Sequence, residues 1–198
     1  VNRFFEPCWT RQCTLNLLPL RVPYDIETLD KAMRVIEILI DRKPGIPYSK
    51  ENPLVVELDK GEHQITSSWT DKNVYNCASY DYNHTTTLGI TRSNITFLGD
   101  GKDSTTILGG FAINNFENIT FKNMTVTNTS HNTSHNGHGI QVSNAKVELM
   151  DVAMNGCSGS GFFIPATDAE TTVVATRCEF ANSHFGAVVS GSLTSATF

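Results

Sequence analysis

The densest set of chemistry-bearing side chains is the stretch Asn128-Thr-Ser-His131-Asn132-Thr-Ser-His135-Asn136-Gly137-His138. Three imidazoles so close together, His131, His135 and His138, suit Zn2+ or Cu2+, because a neutral histidine nitrogen is a good ligand for both. The same stretch reads equally well as a polar loop, since Asn128 and Asn132 each begin an N-x-Ser/Thr glycosylation sequon. Four more sequons begin at Asn83, Asn94, Asn118 and Asn123. Their use requires a secretory route, so an extracellular, virion-surface or cell-surface setting is favoured over an intracellular one. A second group is aromatic. Trp69, Tyr75, Tyr80 and Tyr82 fall in one polar stretch, where their rings can stack on sugars or form a small core of their own.

Other chemistry is excluded or left bland. Gly99-Asp-Gly-Lys102 lacks the spacing of a phosphate-binding loop and no helix follows it. No Gly-x-Ser-x-Gly elbow occurs. The five cysteines, Cys8, Cys13, Cys77, Cys157 and Cys178, include no CxxC pair, which argues against a zinc ribbon. Cys8 and Cys13 are close enough in sequence to bridge locally. Cys157 and Cys178 read as small buried hydrophobes. No cofactor is expected. The chain has 198 residues and a net charge of -5, from 15 basic and 20 acidic residues. With no basic surplus for phosphates, a nucleic-acid partner is not expected. The longest apolar run, Met33 to Ile40, is broken by Arg34 and Glu37, so no membrane span is expected.

The elements that must position these residues change character along the chain. Residues 1–24 form an irregular lead with Pro7, Pro19 and Pro23. Residues 25–41 are predicted to be a helix, with Asp25 as N-cap and Thr28 as the alternative. Ile26, Leu29, Met33, Ile36 and Ile40 make its apolar stripe, widened by Val35 and Leu39. Pro44 and Gly45 end it. Residues 1–53 are therefore a lead plus a helix. From residue 54 to 198 the period is two. Leu54 to Leu58 and Gly61 to Ile65 are short strands, and residues 67–86 read as a long polar insertion.

From Leu88 the sequence repeats. Ile95-Thr-Phe97 returns as Ile119-Thr-Phe121, Val147-Glu-Leu149 and Val173-Val-Ala175, at intervals of 24, 28 and 26 residues. A second strand follows in the last three units, beginning at Met124, Val152 and Cys178. A third runs through Phe111 to Ile113, Gly139 to Val142, Gly161 to Ile164 and Gly186 to Val189. Strands this short bury a face only by stacking, so equivalent residues are expected to form ladders. One ladder is Phe97, Phe121, Leu149 and Ala175; another is Val126, Met154 and Phe180. The alignment also sets Asp151 beside Arg177 on adjacent turns, as an ion pair across a ladder. About four or five turns are expected. A β-sandwich does not predict similar strands at fixed intervals, and a propeller blade needs roughly 40 residues.

Residues 54–198 resemble the right-handed parallel β-helix proteins of the pectate-lyase-like superfamily. Asn94-Ile-Thr-Phe-Leu-Gly-Asp-Gly-Lys-Asp-Ser-Thr-Thr-Ile107 looks like an early regular turn of that fold. The resemblance implies an all-β, right-handed parallel β-helix and gives residues 25–41 the role of its single N-terminal capping helix. Gly137-His138-Gly139 resembles an element of polygalacturonase-type glycosidases, in which the His supports aspartates on neighbouring turns. The matching turn, Asn114-Asn115-Phe116-Glu117-Asn118, lacks the paired carboxylates that such hydrolysis needs. Lyase chemistry needs a carboxylate cluster for Ca2+ and an Arg as base; Asp151 and Arg177 supply one of each and no cluster. His138, Asp151 and Arg177 are thus weak catalytic candidates. The expected function is a non-catalytic β-helix module for recognition or structural assembly within a larger protein or complex. The alternatives are a polysaccharide lyase or glycoside hydrolase, or a virion or cell-surface component. Expected partners are carbohydrate, and a second copy or another chain joined at the open end of the stack.

Overall fold

The computed structural model describes residues 20–22, 28–41, 48–71, 82–84, 86–130, 137–166, 170–191 and 194–198. The helix is α1, Leu29–Asp41. Thr28 is its N-cap: its hydroxyl accepts from the Lys31 amide at 3.4 Å and its carbonyl from Ala32 at 3.2 Å. Asp25 and Ile26 lie outside the described residues. Leu29, Ala32, Met33 and Ile36 are buried in the main core. Val35 corrects the expected stripe: it lies one position from Ile36, about 100° round the helix, and faces solvent at 41% exposure.

The rest is a stack of short parallel strands. In chain order they are β1 (Leu20–Val22), β2 (Leu54–Leu58), β3 (Gly61–Gln64), β4 (Trp69–Asp71), β5 (Tyr82–His84), β6 (Thr87–Gly89), β7 (Ile95–Leu98), β8 (Thr105–Leu108) and β9 (Gly110–Asn114). Then come β10 (Ile119–Thr127), β11 (Ile140–Ser143), β12 (Lys146–Asn155), β13 (Ser160–Ile164), β14 (Thr171–Thr176), β15 (Glu179–Ala181), β16 (Phe185–Val189) and β17 (Thr194–Thr197). One sheet runs β1-β2-β7-β10-β12-β14-β17, and β3 and β8 join it at the second half of β10. The opposing sheet runs β6-β9-β11-β13-β16. Each strand therefore pairs with its equivalent about one repeat away, which defines a parallel β-solenoid. The stack starts earlier than the legible repeat, because β2, β3 and β6 already pair in register with β7, β8 and β9. The expected insertion is not wholly irregular either: β4 and β5 form an antiparallel pair inside it.

The register reproduces the expected ladders. Phe97, Phe121, Leu149 and Ala175 align, as do Val126, Met154 and Phe180. Inward residues of β10 and β12 alternate with outward ones, so Ile119, Phe121, Val147 and Leu149 are buried. Phe97 stacks on Phe121 with ring centres 5.2 Å apart, and Phe111 closes on Phe121 from the opposing sheet at 4.8 Å. Aromatic side chains thus bridge the two sheets.

The corners need backbone that ordinary residues avoid. Asn94, Asn115, Asn118, Asn123, Asn144, Asp151, Arg177 and Asn182 all have φ between 47 and 65°. Asn and Asp adopt this left-handed conformation at lower cost than most residues. At Asn123 and Asp151 a single residue turns the chain within one long strand, β10 or β12, from one face to the next. A glycine column marks the other corner. A Cβ on Gly110 would lie 2.2 Å from the His138 carbonyl, and one on Gly139 2.5 Å from the Gly161 carbonyl.

Phe121 touches both neighbouring aromatics and is fully buried. Phe121→Ala is expected to lower unfolding stability by about 3–5 kcal/mol. Chemical denaturation checks this, and a loss under about 1 kcal/mol would contradict the packing described.

Candidate functional site

The corner around His138 is built from tightly spaced backbone. The imidazole lies over Gly159, where a Cβ would come within 2.9 Å of its Nδ1. The Ser160 amide donates to that Nδ1 at 3.0 Å. An accepting Nδ1 carries no proton, so the ring proton sits on Nε2. The ring also stacks on Phe163, with centres 4.4 Å apart and planes 8° from parallel. His138 is held between two coils as an acceptor and a stacking partner. His131, His135 and Asn132 lie outside the described residues. Among the described residues no group of three His, Cys, Asp or Glu side chains is placed to hold a metal.

Asp151 and Arg177 meet as their register requires. Arg177 Nε and Nη2 donate to the two Asp151 carboxylate oxygens at 2.8 and 2.6 Å. The fork-to-fork geometry is the strongest form of this contact. Hydrogen bonding from Arg177 holds the Asp151 carboxyl below the usual aspartate range, with burial opposing and the charges of Arg177 and Lys102 assisting. The guanidinium is held up by the same contact.

Three of the sequon asparagines, Asn94, Asn118 and Asn123, are placed at corners. Asn118 Nδ2 donates to Asn94 Oδ1 at 2.8 Å, and Asn94 Nδ2 to the Tyr48 carbonyl at 3.1 Å. Asn123 turns β10 directly beside Asp151. Asn128 is fully buried. Its Nδ2 donates to the His138 carbonyl at 2.9 Å, and its Oδ1 accepts from Thr86 Oγ1 at 2.9 Å and the Ser130 amide at 3.3 Å. The nitrogen to which a glycan attaches is thus enclosed at Asn128. Asn83 lies in β5, and its side chain is outside what is described.

Trp69 is the one aromatic candidate with a described side chain. Tyr82 lies in β5, where only the backbone is described, and Tyr75 and Tyr80 lie outside the described residues. The indole packs over Gly89, where any Cβ would meet its Cδ1 at 2.5 Å. Beside it is a cavity of about 250 Å3 between α1 and the start of the stack. Asp30, Met33, Arg34 and Glu37 line it from one face of α1, and Trp69, Thr87 to Arg92 and Ile95 from the strands. Asp30, only 5% exposed, accepts from the Thr66 amide at 3.0 Å and from the Thr66 hydroxyl. Glu37 accepts from the Thr91 hydroxyl. The Arg92 guanidinium lies 5.2 Å above the Tyr48 ring, and its Nε is buried without an acceptor. Tyr48 feels both neighbours: burial pushes its hydroxyl up and Arg92 pulls it down.

The sequence singled out Trp69 but not Asp30, Arg34, Glu37 or Arg92. The helical spacing of Asp30, Arg34 and Glu37 puts them on one face, yet only the folded chain shows that this face and Trp69 line the same cavity. Cys157 is buried and Cys178 only half-buried, which corrects the expectation for the latter; both are unpaired, and burial pushes both thiols up. Cys8, Cys13 and Cys77 lie outside the described residues. No protein family, curated protein or solved structure matches the chain.

Because the Asp151 value is lowered on folding, its contribution to stability is present at neutral pH and is lost as pH falls through that lowered value. Carboxyl-detected NMR titration is expected to place Asp151 below free aspartate and to move it upward in Arg177→Gln. An unchanged midpoint in that variant would contradict the pairing.

Proposed function

We propose that this chain is a non-catalytic β-helix module for recognition within a larger protein or complex, built on a stack of the pectate-lyase-like kind. The observation that carries this reading is how the reactive side chains are spent. His138 Nδ1 is taken by the Ser160 amide, Asp151 by Arg177, and Asn128 by three hydrogen bonds. These contacts join one coil to the next. Hydrolysis needs two carboxylates facing one bond, and calcium-dependent elimination needs a carboxylate cluster; the carboxylates named above are engaged elsewhere.

Association with a partner is supported by an exposed apolar patch at one end of the stack. Phe185, Val189 and Phe198 are exposed at 55, 42 and 61% on or beside β16 and β17. Among the described residues those strands pair on one side, with β13 and β14. A further parallel coil in the same register would cover this edge as each coil covers the one before it.

Incubation with neutral and uronate polysaccharides, with and without Ca2+, tests the non-catalytic part. No new reducing ends and no unsaturated products are expected. Turnover of any polymer that is abolished in Asp151→Asn or His138→Ala would overturn the reading in favour of a lyase or hydrolase.

A further inference from the structure

Arg92, which lines the cavity under α1, carries the one buried side-chain nitrogen without an acceptor among the described residues. Arg92 Nε is buried and unsatisfied. That nitrogen is closed even to water, so what Arg92 offers the cavity is the rest of its side chain, which lines the space. Arg34, from the facing helix, forms no ion pair or hydrogen bond among the described residues. The acceptors in the same cavity are Asp30, already bonded to Thr66, and Glu37, which accepts from Thr91 through Oε1 and keeps Oε2.

The charges decide the ligand class. Two guanidiniums and two carboxylates line the space, so its net charge is zero. An anionic ligand would meet Asp30 and Glu37 as well as the arginines, and a cation the reverse. A neutral polyol avoids both repulsions. Each of its hydroxyls both accepts and donates, so neighbouring hydroxyls can accept from Arg92 and Arg34 and donate to Glu37. Trp69, Met33, Leu88 and Ile90 supply apolar wall for the ring's C–H face. At about 250 Å3, the cavity is below the ~300–1,000 Å3 of sites for drug-sized molecules, which suits one ring and not a polymer segment.

We propose that this cavity binds a single neutral sugar ring, with Arg92 and Arg34 as donors, Glu37 as acceptor and Trp69 as wall. The proposal rests on the recognition reading above and names the ligand class for it.

The probes are methyl glycosides of neutral hexoses, the matching methyl uronates, and sulfate, each titrated into the full chain. Amide chemical shifts of residues 30–37, 66–69 and 87–92 and tryptophan fluorescence are the readouts. Saturable shifts confined to those residues with at least one neutral glycoside are expected. Losing one hydrogen bond to a charged group is expected to weaken binding about tenfold or more in Arg34→Gln. Arg34 is exposed on α1, so this variant is expected to keep the fold; Arg92→Lys, which retains a cation over Tyr48, is the second. No shift with any neutral glycoside, shifts with uronates or sulfate alone, or binding elsewhere that ignores both variants would each overturn the site while leaving the recognition reading intact. Conversion of the bound glycoside would instead overturn the non-catalytic reading.

Discussion

Everything in this chain depends on closing a coil of short strands so that the next coil lands in register above it. Adjacent parallel strands sit about 4.8 Å apart, and each coil must turn corners without drifting from that spacing. The chain does so with single residues in left-handed backbone at equivalent places: Asn94 with Asn118, Asn115 with Asn144, and Asn123 with Asp151 and Arg177. Several of these also bond one coil to the next through their side chains, as in Asn118 to Asn94, Asn144 to Asn115 at 2.5 Å and Asn182 to Asn155 at 2.9 Å. Corner geometry and inter-coil bonding are met by the same residues.

That constraint explains why residue types that look chemical are structural here. Three asparagines that read as sequons, Asn94, Asn118 and Asn123, are where the backbone turns. A Gly-His-Gly tripeptide is where two coils come close enough that the carbonyl of one occupies the place of a side chain on the other. The carboxylate and guanidinium of Asp151 and Arg177 replace the amides of an asparagine ladder by an ion pair at the same corner. The seam where the regular stack meets the helix differs: there the coil-to-coil pattern no longer satisfies every group, and Arg92 Nε is buried without an acceptor.

The core ladders were legible because inward positions repeat as apolar residues of similar size at nearly constant intervals. Phe97, Phe121 and Leu149 announce themselves in this way. The coil of β2, β3 and β6 was not legible as part of the repeat, because an insertion containing β4 and β5 separates its second strand from its third. The helix boundary shifted to Thr28 because its hydroxyl and carbonyl both serve the first turn. The cavity under α1 was least legible. Its polar residues come from α1 and from β6 to β7, more than fifty positions apart in the case of Glu37 and Thr91, and no local spacing links them.

The left-handed corner is the claim on which the rest stands, and Asn118 isolates it. Glycine there loses the bond to Asn94 but keeps the backbone; alanine loses both. Equilibrium unfolding of Asn118→Gly and Asn118→Ala compares them directly. Because left-handed backbone costs an ordinary residue about 1–2 kcal/mol that glycine avoids, the alanine variant is expected to be the less stable of the two. An alanine variant as stable as the glycine one, or more so, would contradict the corner geometry and with it the register of the stack.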